Sequence, residues 1–135
     1  MRSATAVLLL GLLLAAPCAL LAETHVVTQE GITFVPADLL ILKHDRVRWV
    51  WTAASHTVTN GTGSGDPQAG TLFDAPLSPE FPAFEYPFDE PGVFPYFCFP
   101  HEFFGMQGTI TVDEQVPTEP TTWGKLKRQH RVPEE

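Results

Sequence analysis

The chain has 135 residues, 8 Lys and Arg against 16 Asp and Glu, a formal charge of −8, and 44% hydrophobic residues. That length suits one domain with a modest core. The acidic balance argues against nucleic acid as a partner and, through long-range steering, for a basic one.

The opening "MRSATAVLLLGLLLAAPCALLAETH" puts Arg2 before an apolar run from Ala6 to Leu14 and then small residues. This is the pattern of a secretory signal peptide over residues 1–22, cleaved after Ala22. The run is short for a membrane span, so none is expected in the mature form. An uncleaved anchor is one alternative. Acylation at Cys18 is another, against which Pro17 stands where lipoprotein processing prefers a small residue. Export would place the protein in the periplasm or outside the cell.

Cleavage leaves residues 23–115 as the folded body, with Cys98 its only cysteine. No internal disulfide can then form, and a free thiol in an oxidising compartment needs an occupation, of which metal ligation is one. Removing residues 1–22 takes away one base, Arg2, and no acid, so the mature chain is one unit more negative. The body holds three bases (Lys43, Arg46, Arg48) and 13 acids, whereas residues 116–135 hold four bases and three acids.

The body reads as strands. "LLIL" at 39–42 is a short continuous apolar run. "RVRWVWT" sets Val47, Trp49 and Trp51 on one face and Arg46, Arg48 and Val50 on the other, the period of a half-buried strand. "HTVT" from His56 and "GTITV" over 108–112 add β-branched runs. No helical stripe follows the signal. With 13 prolines and 10 glycines as punctuation, an all-β sandwich or barrel of short strands is expected.

Residues 60–79, "NGTGSGDPQAGTLFDAPLSP", read as loop. Their "NGT" is a glycosylation sequon or, as we prefer, an Asn-Gly turn. "DEPG" at 89–92 is a turn feeding "VFPYFC", which puts Phe94, Tyr96 and the Cys98 thiol on one inward face. After Val112 a polar Pro/Thr linker leads to "WGKLKRQHRVPEE", and residues 116–135 are expected to be a mobile tail. Its basic run is read as solvated, with binding to anionic lipid as the alternative.

Cys98, His101 and Met106 form C-x2-H-x4-M on one strand-end loop and can turn toward one centre. A further ligand is needed from His25, His44, His56 or His130. His56 is best placed, because it follows the core strand and opens another, so in a sandwich it can reach the end of the Cys98 strand. A soft thiolate, borderline imidazoles and a weak thioether suit copper in both oxidation states better than structural zinc. Such a set, ideal for neither state, needs little rearrangement when an electron arrives. Glu23-Thr24-His25 at a new N-terminus is a second candidate Cu(II) site, through a free amine, amides and the third-position imidazole.

"HTVTNG" and "PGVFPYFCFPHEFFGMQGTITV" resemble the cupredoxins, the small blue-copper proteins, and most closely their plastocyanin and pseudoazurin branch. "ITFVPADLLILKHDRVRWVW" is similar to the family's F-x-P, apolar strand and Trp-containing strand, so the likeness spans roughly residues 24–113. It implies a Greek-key β-sandwich and one copper ion, with His56, Cys98 and His101 as strong ligands and Met106 as the weak axial one. It also implies a backbone N–H near Thr57 donating to the Cys98 sulfur. Two departures are His44, standing where the family has a turn glycine, and the bulky Phe99, Phe103 and Phe104 around the ligand loop. These rings could form an apolar apron beside His101, the edge through which family members pass electrons.

The expected function is a monomeric type 1 copper protein shuttling single electrons between a donor and an acceptor redox protein. It does no substrate chemistry. The alternative is a periplasmic copper carrier using the same ligands. Multicopper oxidases need several His-x-His pairs and the binuclear oxidase centre needs a second cysteine, neither of which occurs in the body.

Overall fold

A computed structural model describes residues 21–114. Nearly all of the expected signal peptide and the whole tail 116–135, with His130, lie outside these residues. Nine strands form two packed sheets. They are β1 (Thr24–Glu30), β2 (Thr33–Val35), β3 (Asp38–Leu42), β4 (Arg46–Val50), β5 (His56–Asn60), β6 (Asp74–Leu77), β7 (Ala83–Pro87), β8 (Gly92–Phe97) and β9 (Gln107–Asp113). One sheet has the order β2-β1-β4-β7 and the other β3-β9-β8-β5-β6. The β1–β4 and β3–β9 pairs are parallel and the rest antiparallel. The all-β sandwich expected from the sequence is the fold observed. Among the described residues no helix is long and apolar enough to cross a membrane.

Period-two alternation builds the core. Val47 and Trp49 of β4 are buried while Arg46 and Arg48 face solvent. Trp49 meets Tyr96 of the opposite sheet edge-on at 5.3 Å and Phe73 at 5.6 Å, and Phe34 packs on Tyr96 at 4.8 Å. These contacts lie within the preferred range for aromatic pairs. The Tyr96 hydroxyl crosses to donate to the Ala37 carbonyl at 3.1 Å. Gly108 makes this possible, since a Cβ there would collide with both of those oxygens.

Two local expectations are corrected and a third is refined. Residues 60–79 are not all loop, for Asp74–Leu77 pairs with β5 at the edge of its sheet. An edge strand tolerates Pro76, whose missing N–H faces away from the ladder. A 3₁₀ helix, Phe99–Phe104, occurs where no helix was expected, being too short to show a stripe. In β3, Ile41 is buried and Leu40 is 66% exposed, so "LLIL" is an alternating edge strand.

Asn60 is the last residue of β5, and the chain bends at Gly61, where φ is 118°. Asn60 is 5% exposed, its Oδ1 accepts from the Leu72 and Phe73 N–H groups, and its Nδ2 donates to the Gln68 carbonyl. At the other end of the sandwich, His44 adopts φ 75°, the left-handed conformation that a turn glycine would supply at no cost.

Candidate metal centre

Strand β8 delivers Cys98, and its antiparallel pairing with β9 (Phe97↔Gln107) makes residues 98–106 the hairpin connection. Within it, the His101 N–H donates to the Cys98 carbonyl at 3.1 Å. Gly105 then closes the helix at φ 79°, and Met106 returns beside the start, where the Cys98 N–H donates to its carbonyl at 3.0 Å. The spacing C-x2-H-x4-M is thus the length of a six-residue 3₁₀ helix, about two turns, plus a left-handed glycine. His56 arrives from elsewhere. The chain leaves β4, crosses between the sheets over residues 51–55, and enters β5 with His56 as its first residue.

The three side chains converge. His101 Nδ1 lies 3.3 Å and His56 Nδ1 3.7 Å from Cys98 Sγ, and the candidate ligand atoms all lie within 4.8 Å of one another. Three donors in a plane, each about 2.1 Å from a common ion, stand about 3.6 Å apart, so the observed separations fit a shared metal. The set contains one soft sulfur, two imidazole nitrogens and no carboxylate, which suits copper. Cys98 and His56 are buried, His101 is partly open, and Met106 is buried at the return of the same loop.

Burial pushes the Cys98 thiol above its ordinary pKa, opposed by hydrogen bonds from Thr57. Burial, and then the His101 imidazole, push His56 below its ordinary value. Without a cation the site therefore favours neutral groups, and a bound cation supplies the charge that makes the thiolate favourable. The Thr57 N–H lies 3.4 Å from Cys98 Sγ, the contact that the resemblance implied.

Among the described residues, the other two histidines, His25 and His44, do not join this cluster. His25 Nε2 is 2.9 Å from buried Asp45, whose other oxygen accepts from the Glu23 N–H, so both residues are engaged with Asp45 within the fold. His44 pairs with Asp89 at 3.0 Å.

Contacts that sequence reasoning missed hold the ligand loop from outside. Glu102 receives the Ser64 N–H at 2.7 Å and the Ser64 hydroxyl at 2.6 Å, fastening the 61–73 loop to the helix. The Phe99 N–H donates to the Thr57 hydroxyl at 2.8 Å. Phe99, Phe103 and Phe104 are 58%, 92% and 72% exposed beside His101, so they are not core.

A family model for copper binding proteins, plastocyanin/azurin family, matches residues 22–113. A comparison with curated proteins finds no match. Among solved structures, a mutant plastocyanin of fern is 23% identical over 66% of this chain and 100% of its own, with a TM-score of 0.55. A reduced Cu(I) form of an amicyanin mutant at pH 4 is 27% identical over 68% of this chain and 82% of its own, with a TM-score of 0.53. Amicyanin from Paracoccus versutus is 23% identical over 73% and 86%, with a TM-score of 0.51.

Proposed function

The chain belongs to the plastocyanin/azurin family of copper-binding proteins, and on that premise we propose that it is a type 1 copper protein carrying single electrons between redox proteins outside the cytoplasm. His56, Cys98 and His101 would hold the copper as strong ligands, with the Met106 thioether as a weaker one. Copper supplies one-electron exchange between Cu(I) and Cu(II). The observation that carries this reading is the Sγ–Nδ1 geometry of 3.3 and 3.7 Å in a pocket where Cys98 and His56 are buried.

The chain's own part is to hold these groups still. Strands β5 and β8 fix His56 and Cys98, the loop's internal hydrogen bonds fix His101, and the packed core excludes water behind the sulfur. A site that changes little between oxidation states exchanges electrons quickly. His101 is the partly open ligand, and the exposed rings of Phe99, Phe103 and Phe104 border its loop, a surface suited to transient contact with a donor and an acceptor. Membership of the plastocyanin/azurin family supports a carrier rather than an enzyme. The signal-peptide pattern of residues 1–22 supports export and a mature body of 23–115.

An absorption spectrum of the Cu(II)-loaded protein before and after reduction, with Cys98→Ser alongside, tests this. An intense visible band, bleached by reduction and missing from the variant, is expected. A pale spectrum unchanged by the substitution would overturn the assignment.

A further inference from the structure

Thr57 and Thr59 lie two residues apart on β5, so their hydroxyls share one face of the strand. Their oxygens are 3.2 Å apart, and the Thr59 hydroxyl donates to Asp74 Oδ1 at 2.8 Å. Asp74 is the register partner of Thr59 on β6. A carboxylate only accepts, which orients the whole row. Thr59 donates to Asp74, Thr57 donates to Thr59, and the Thr57 oxygen is left to accept the Phe99 N–H at 2.8 Å. Each bond polarises the next. The Thr57 N–H meanwhile points at Cys98 Sγ at 3.4 Å. One residue thereby grips both the sulfur and the peptide that follows it.

We propose that Asp74, acting through Thr59 and Thr57, is a positioning residue for Cys98. It fixes the direction of the Thr57 hydroxyl, and so the orientation of the Cys98–Phe99 peptide and the aim of the sulfur between His56 and His101. The inference rests on Cys98 being a copper ligand. Without the carboxylate the row has no fixed sense, and the Thr57 hydroxyl proton is free to turn toward Phe99 and compete with its N–H. Without the hydroxyl, the charge on Asp74 has no route to the loop.

A double-mutant cycle of Thr57→Val, Asp74→Ala and the pair, with Thr57→Ser as the conservative variant, tests this on the full mature chain. The readouts are the Phe99 amide proton shift in the copper-free protein, the position of the visible band, and the rate of copper loss to a chelator. Each single change is expected to move the Phe99 amide upfield, shift the band and speed copper loss about three- to tenfold, the scale of one hydrogen bond. The pair should match Thr57→Val alone, and Thr57→Ser should match the wild type. Additive effects, or a Phe99 amide unmoved by Asp74→Ala, would overturn the relay. A wild type lacking the visible band would instead overturn the copper-ligand reading, and the amide shifts would still decide whether the relay exists.

Discussion

Asn60→Ala is the substitution whose cost follows most directly from the structure. The side chain is 5% exposed and makes three hydrogen bonds, accepting from the Leu72 and Phe73 N–H groups and donating to the Gln68 carbonyl. Each is worth about 1 kcal/mol net, and a buried N–H left without an acceptor costs about 1–3 kcal/mol. Loss of all three should lower the stability of the copper-free protein by about 3–4 kcal/mol. With a urea slope of about 1–2 kcal/mol per molar, the midpoint falls by about 2 M. Urea unfolding without copper is the assay, because bound metal would add its own stabilisation. A loss below about 1 kcal/mol for Asn60→Ala would refute the reasoning. The loop held by Asn60 carries Ser64 to Glu102, so Asn60→Ala should also hasten copper loss.

Burial holds the Cys98 thiol above 9.0 and His56 below 6.5. At neutral pH the copper-free site therefore keeps the thiol proton and has an unprotonated His56. Binding must expel one proton, and log K for Cu(I) should rise about one unit per pH unit between about pH 7 and 8, whereas a flat response would mean a preformed thiolate. The raised thiol pKa stabilises the copper-free fold below pH 9.0 and is lost as pH climbs through the folded value, so wild type but not Cys98→Ser should lose this contribution. His44→Gly should raise the copper-free melting temperature, since relieving φ 75° is worth about 1 kcal/mol and the exposed His44–Asp89 pair little. A lowered melting temperature would show the pair outweighs the strain. Gln29 is 4% exposed and neither side-chain polar atom has a partner among the described residues. Gln29→Leu should therefore stabilise by about 1–2 kcal/mol in urea unfolding, and a loss would refute this.

The sequence made the fold legible wherever one strand carried its own pattern. Arg46 to Val50 alternates strictly, and Phe94, Tyr96 and Cys98 share a face, so β4 and β8 could be read directly. Patterns that depend on a strand's place in its sheet could not. Leu40 is exposed because β3 is an edge with an open outer face, and Asp74–Leu77 is a strand because β5 offers it a partner. The hairpin loop holding Cys98, His101 and Met106 was legible because its spacing is local. His56 was reachable because it begins a strand beside theirs. The Ser64–Glu102 clamp joins residues 38 apart, and the Thr57–Thr59–Asp74 row needs the β5–β6 register, so neither leaves a motif.

Net charge and site charge point to different docking modes, and the structure favours one. The body is strongly acidic, yet within residues 98–106 the only charged side chain is Glu102, already engaged twice by Ser64. The exposed surface there is aromatic, with Phe103 92% open. Burying one phenylalanine in a complex contributes about 1.5–3 kcal/mol, which is roughly ten- to a hundredfold in affinity. Phe103→Ser should therefore weaken the electron-transfer complex by about that factor, with little effect on the visible spectrum. Salt should then have a modest effect on the rate, since exposed charges beyond about 10 Å are screened at 0.1 M. If the acidic flanks governed docking instead, stopped-flow rates would fall steeply with salt and Phe103→Ser would leave them unchanged. Partner choice would then lie in the charge of the whole body, and the aromatic rim beside His101 would be incidental.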